Sequence, residues 1–78
     1  MTTLEIGLTV DAKGLSCPMP IVKTAQAIQR VASGQLLEVL ATDPGSVKDF
    51  AAWSRSTGNE LVASSQEGGV YRFVIRRK

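Results

Sequence analysis

The chain has one cysteine, Cys17, and no histidine among its 78 residues. Neither a disulfide within the chain nor a zinc cluster can therefore staple so short a fold together. A domain of this size buries only about 60% of the surface that its unfolded chain exposes. Its stability must come from apolar side chains, which make up 44% of the sequence, an ordinary globular fraction. One domain spanning residues 1–78 is the expectation.

The missing histidine also removes chemistry. Neither a Ser-His-Asp triad nor a Cys-His pair can form within one chain. A general base would have to be a carboxylate, a lysine, a tyrosine or a thiolate. The formal net charge is +2, too mild to imply nucleic-acid binding, although Arg72, Arg76, Arg77 and Lys78 crowd the end of the sequence. No apolar run is long enough to span a bilayer. Met1 to Glu5 lack the basic start and apolar stretch of a secretory signal. With an unpaired thiol, which suits a reducing compartment, a soluble cytoplasmic protein without membrane contact is expected.

Leu4, Ile6, Leu8 and Val10 alternate with polar residues or glycine, the period of a strand buried on one face. A loop follows from Asp11 to Ser16. After Cys17, Pro18 and Pro20 the period changes. Ile21, Ala25, Ile28 and Ala32, with Val22 beside them, mark an amphipathic helix of about fourteen residues, opposed by Lys23, Gln26 and Arg30. Gly34 suits the left-handed position that ends it. Leu36 to Ala41 is of strand length. Asp43 as N-cap and Pro44 as first helical residue open a second helix, to about Ser56, with Phe50 and Trp53 as core or partial core. Gly58-Asn59 stops it. Glu60–Ser65 and Val70–Arg76 are strands joined by a hairpin turn at Gln66-Glu67-Gly68-Gly69. In the last strand Tyr71, Phe73 and Ile75 share one face, and Val70, Arg72, Val74 and Arg76 the other. The order β-α-β-α-β-β, with a right-handed crossover, predicts an α+β fold. It is a two-layer sandwich with a four-stranded mixed sheet and both helices on one face.

Cys17 is the candidate for chemistry. It falls at or next to the N-cap of the first helix, where the helix dipole favours a thiolate. Pro18 and Pro20 offer no N–H, leaving a stiff, apolar collar that holds the sulfur outward. A lone free cysteine is more often a small buried apolar residue, but Gly14, Ser16 and Pro18 around it show no apolar periodicity. With no second thiol there is no dithiol chemistry. A persulfide shuttle remains open, since it requires only an exposed nucleophilic sulfur and a surface for docking.

The run Asp11-Ala-Lys-Gly-Leu-Ser-Cys17-Pro-Met-Pro20 resembles the signature of the TusA/SirA sulfur-carrier family. Asp43-Pro44, Asp49, Glu60-Leu61, Tyr71-Arg72 and Ile75-Arg76 extend the resemblance across the chain from about Leu8. It implies a sandwich like the C-terminal domain of translation initiation factor three. It implies a persulfide on Cys17, positioned by Pro18, Pro20, Gly14 and Asp11 and needing no cofactor or metal. The sulfur would come from a cysteine desulfurase or a rhodanese-type donor and go to a downstream acceptor protein. Family members serve tRNA thiolation, molybdenum-cofactor biosynthesis or oxidative sulfur metabolism. Some have Glu or Leu at the place of Met19, and some a further cysteine near the place of Ser54; both differences leave the pathway open.

Met19 is then a candidate apolar contact for the donor. Lys23, Arg72 and Arg76 could steer an acidic partner. Asp11 either tunes Cys17 or bonds its own backbone. Two other readings compete with the carrier: a non-catalytic regulatory interaction module built on the first helix, and RNA binding by the basic last strand. The second is disfavoured by the lack of an aromatic pair on a strand.

Overall fold

The computed structural model describes residues 6–78. The expected order appears as β1 (Ile6–Ala12), α1 (Met19–Ala27), β2 (Leu36–Ala41), α2 (Ser46–Thr57), β3 (Glu60–Glu67) and β4 (Val70–Arg76). The strands lie in the order β1-β2-β4-β3. β1 and β2 are parallel, and β4 is antiparallel to both β2 and β3. Both helices cover one face of this mixed sheet. None of the described helices is long and apolar enough to cross a membrane.

The core lies between the layers. On β2 and β4, Leu37 faces Ile75 and Val39 faces Phe73, all four fully buried. Phe50 of α2 stacks on Phe73 with ring centroids 4.3 Å apart and planes 20° apart. Trp53 meets Phe50 edge-on at 6.4 Å. From α1, the inward row is Pro20, Thr24 and Ile28. The hydroxyl of Thr24 donates to the Pro20 carbonyl at 2.8 Å, which lets a polar residue sit fully buried. Of the expected row, Ile28 is buried and Ile21 packs half-buried against the core, whereas Val22 and Ala32 are exposed and Thr24 takes an inward place.

Three boundaries differ from the sequence expectation. First, β1 keeps the expected alternation, with Ile6, Leu8, Val10 and Ala12 less exposed than the residues between them, but it runs on through Asp11 and Ala12 into the expected loop, and its register to β2 shifts at Gly7, where Ile6 pairs with Leu36 and Leu8 with Leu37. Val10 and Ala12 belong to the core cluster, and Leu8 packs against it. Leu4 lies outside the described residues. Second, α1 is shorter than the expected fourteen residues, tightening into a 3-10 turn at Ile28–Arg30. Gly34 keeps its left-handed φ of 85° and donates to the Arg77 carbonyl at 2.8 Å. Third, Asp43 does not cap α2. Its carbonyl accepts from Ser46 N–H in a tight turn at 3.0 Å, and the helical ladder starts with Asp49 N–H to Gly45 O at 3.1 Å. Gly68 and Gly69, at φ 57° and 81°, form the two-residue turn that a right-twisted hairpin favours.

On the face away from the helices, Glu38 accepts from Arg72 and, at 3.0 Å, from the Thr9 hydroxyl. Arg76 pairs with Glu60 at 3.1 Å. Val74 lies opposite Glu38 on this face and is nevertheless fully buried.

Two stability predictions follow from this packing. Phe50→Ala should lose about 3–5 kcal/mol in chemical denaturation, a large part of a small domain's total. The Arg72 hydrogen bond, aided by Thr9, holds the Glu38 carboxyl below its ordinary range. Stability from this pairing is therefore present above the unfolded carboxyl value and lost as pH falls through the lowered folded value. Glu38→Gln should cost up to about 1 kcal/mol at pH 7 because the pair is partly solvated. The difference from the parent protein should vanish in strongly acidic denaturation series.

Candidate functional site

The C-terminal ends of the two parallel strands carry the two loops that build the site. After β1 the chain turns at Leu15 N–H to Ala12 O, 3.2 Å, with Gly14 at φ 81°. Gly14 N–H donates across to the hydroxyl of Thr42, just past β2, at 2.9 Å. That bond ties the loops together. Asp11 Oδ1 accepts from Lys13 N–H at 3.0 Å, so its carboxylate organises its own loop.

Cys17 sits one residue before the N-cap of α1, which is Pro18, and its side chain is exposed. The Cys17–Pro18 peptide bond is cis, and Met19 N–H closes the turn on the Ser16 carbonyl at 2.8 Å. Pro20 is buried beneath the helix start, whereas Met19 is 44% exposed. Gly45, at the head of α2, lies against the same turn: a side chain there would begin 4.0 Å from Cys17 Cβ and 3.0 Å from Asp43 Oδ2.

The thiol does not meet the electrostatics that a helix N-terminus promises. Cys17 Sγ–H donates to Asp49 Oδ2 at 2.6 Å. This hydrogen bond, then desolvation, then the charges of Asp49 and Asp43, push the thiol above its ordinary value. The expectation of a lowered value is overturned. Helix starts stabilise anions through their free N–H groups, and few are free here. Pro20 has none, Met19 N–H is bound to Ser16, and Val22 N–H is bound to the Pro18 carbonyl at 3.1 Å. Two carboxylates at the head of α2 outweigh what remains.

Asp49 is the residue that pattern reading left without a role. Its position three residues after Ser46, in the first turn of α2, reads as ordinary helix-dipole chemistry. Only the packing of α2 beside α1 brings it to Cys17. The other singled-out residues disperse. Lys23 lies on α1 beside β1. Arg72 and Arg76 are on the far face of the sheet, in ion pairs with Glu38 and Glu60. Arg77 donates to the Val31 carbonyl.

A model of the family described as sulfurtransferase TusA matches residues 8–77. The chain belongs to the TusA family. It is 52% identical to the sulfur carrier protein TusA of Allochromatium vinosum over 68 residues, 87% of this chain and 90% of the relative. It is 50% identical to the putative sulfur carrier protein YrkI of Bacillus subtilis, again over 68 residues, 87% of this chain and 91% of that one. The crystal structure of a SirA-like protein from Desulfitobacterium hafniense superposes with a TM-score of 0.77 at 22% identity, covering 88% of this chain and 95% of the other. That likeness shows the shared fold.

If Asp49 holds the proton on Cys17, Asp49→Asn should shift the pH profile of iodoacetamide alkylation to lower pH. The alkylation rate at neutral pH should rise severalfold. Asp43→Asn, acting through space alone, should move the profile the same way by less.

Proposed function

We propose that this TusA-family protein is a sulfur carrier that takes up sulfane sulfur as a persulfide on Cys17 and passes it to another protein. The observation that carries this reading is the placement of Cys17: the chain's single thiol, exposed in a turn between the heads of both helices. Exposure suits a sulfur that must be reached by a partner's reactive group. The absence of a second thiol means that a bound persulfide meets no internal thiol that would discharge it as a disulfide.

In the loading step the Cys17 thiolate attacks the terminal sulfur of a donor persulfide. An S–S bond forms at Cys17 Sγ, the donor's S–S bond breaks, and the donor cysteine leaves as a thiolate. In the delivery step an acceptor thiolate attacks the outer sulfur on Cys17, and Cys17 leaves as the thiolate. The first step consumes a thiolate, so the proton on Sγ must depart before attack. Asp49, as the hydrogen-bond acceptor, sets that threshold. Pro18 and Pro20 shape the turn, and Gly14 and Asp11 brace its loop. Met19 offers an apolar contact beside the sulfur. A cysteine desulfurase or a rhodanese-type enzyme is the donor class. The acceptor decides which of tRNA thiolation, molybdenum-cofactor biosynthesis or sulfur oxidation is served.

The test is intact-protein mass spectrometry after incubation with a cysteine desulfurase and cysteine, and separately with a rhodanese and thiosulfate. The parent protein should gain one sulfur atom with at least one donor, removable by dithiothreitol. Cys17→Ser should gain none. Loading that persists in Cys17→Ser, or that fails with both donors, overturns the proposal.

A further inference from the structure

Among the described residues β1 is an edge strand, hydrogen-bonded on one side only. Its free side opens into a groove of about 410 Å³ between Leu8–Asp11 and the helical residues Lys23, Gln26 and Arg30. An unpaired strand edge presents a row of backbone N–H and C=O groups ready to pair with another chain. Beside that row half-buried Leu8 and the mostly buried Val10 line the groove with apolar surface. Lys23 and Arg30 supply two exposed cations that form no ion pair among the described residues.

The spacing of these groups is informative. Seven helical residues, four at about 1.5 Å and three at about 2.0 Å, separate Lys23 from Arg30 by roughly 12 Å along the axis. Residues i and i+4 of a strand lie on one face and are about 13 Å apart. An extended segment paired to β1, with acidic residues at i and i+4 facing α1, would bring one carboxylate to each cation. An apolar residue at i+2 would lie between them. The opposite edge offers no such match. β3 carries Glu60 and Glu67 at its two ends, with half-buried Leu61, Val62 and Ala63 and exposed Ser64, Ser65 and Gln66 between them, so it has no cation to meet an acidic strand and its charge repels one. Asp11 at the far end of the groove sets a limit: it favours a segment whose acidic positions end before the loop.

We propose that this groove takes an extended, acidic segment of a partner protein by strand addition to β1, with Lys23 and Arg30 reading acidic residues four positions apart. Main-chain pairing supplies affinity, and the cations supply register and selectivity. A segment laid along β1 runs toward the loop that carries Cys17, so the groove would bring a tethered partner to the thiol. That the partner is a sulfur donor or acceptor rests on the carrier reading above.

The probe is a blocked heptapeptide with glutamate at its second and sixth positions, valine at the fourth and threonine elsewhere. It is titrated into isotopically labelled protein and followed by backbone amide NMR. Amide shifts should concentrate in residues 8–11 and 23–30. Lys23→Glu combined with Arg30→Glu should weaken binding about tenfold or more. Binding should also be lost when the glutamates are replaced by lysine, when one is moved a single place so that the two face opposite sides, or when alternate backbone nitrogens are methylated. Shifts elsewhere, equal binding of the lysine or offset peptides, or no binding at all would overturn the proposal. Concentration-dependent self-association through the same amides in sedimentation would assign the edge to a second copy of the chain and equally overturn it. Because the peptide assay involves no sulfur transfer, its failure is separate from a failure of persulfide loading.

Discussion

The stack of Phe50 on Phe73 fixes where α2 can be. Phe73 is on β4, an inner strand of the sheet, and Phe50 opens the second turn of the helix, so one buried contact sets both the height and the rotation of α2. Asp49 is its immediate neighbour in sequence. With Phe50 turned into the core, Asp49 is turned along the helix surface toward α1, where Cys17 waits. A packing constraint in the core thereby becomes an electrostatic constraint at the surface.

The site is a contest between donors and acceptors. A cysteine before a helix ordinarily finds free amides. Here proline, the turn and the first helical bond remove most of them, while the neighbouring helix contributes carboxylates. The resting thiol therefore holds its proton more firmly than a free cysteine does. A partner that brings positive charge to Asp43 and Asp49 would tilt that balance, by ordinary charge neutralisation. Reactivity would then depend on who is docked, which protects an exposed sulfur from indiscriminate electrophiles.

The element order was legible because each element follows local rules. Gly34, Gly58 and the Gly68-Gly69 pair sit where left-handed backbone is required, and the hydrophobic runs of β2 and β4 match the observed strands. Local pattern failed where tertiary geometry overrides it. Thr24 looks polar but satisfies itself and is buried. At the site, Cys17 stood out as a single thiol between glycine and prolines. Asp49 did not, since 32 residues separate it from Cys17 and nothing in spacing brings such residues together. Arg72 and Arg76 looked like free charge, yet each is matched by a carboxylate on the adjoining strand, a pairing that register alone reveals.

The bond from Cys17 to Asp49 depends on a single hydrogen atom. Whatever takes that hydrogen's place on Sγ, whether an electron pair or another atom, leaves the sulfur unable to donate and Asp49 without this partner. The direct tie between the turn before α1 and the first turn of α2 is then gone. An empty and an occupied sulfur thus differ in more than mass, because only the empty one joins these two neighbouring segments through Sγ. A protein resting on both helix heads could feel that difference without ever touching the sulfur.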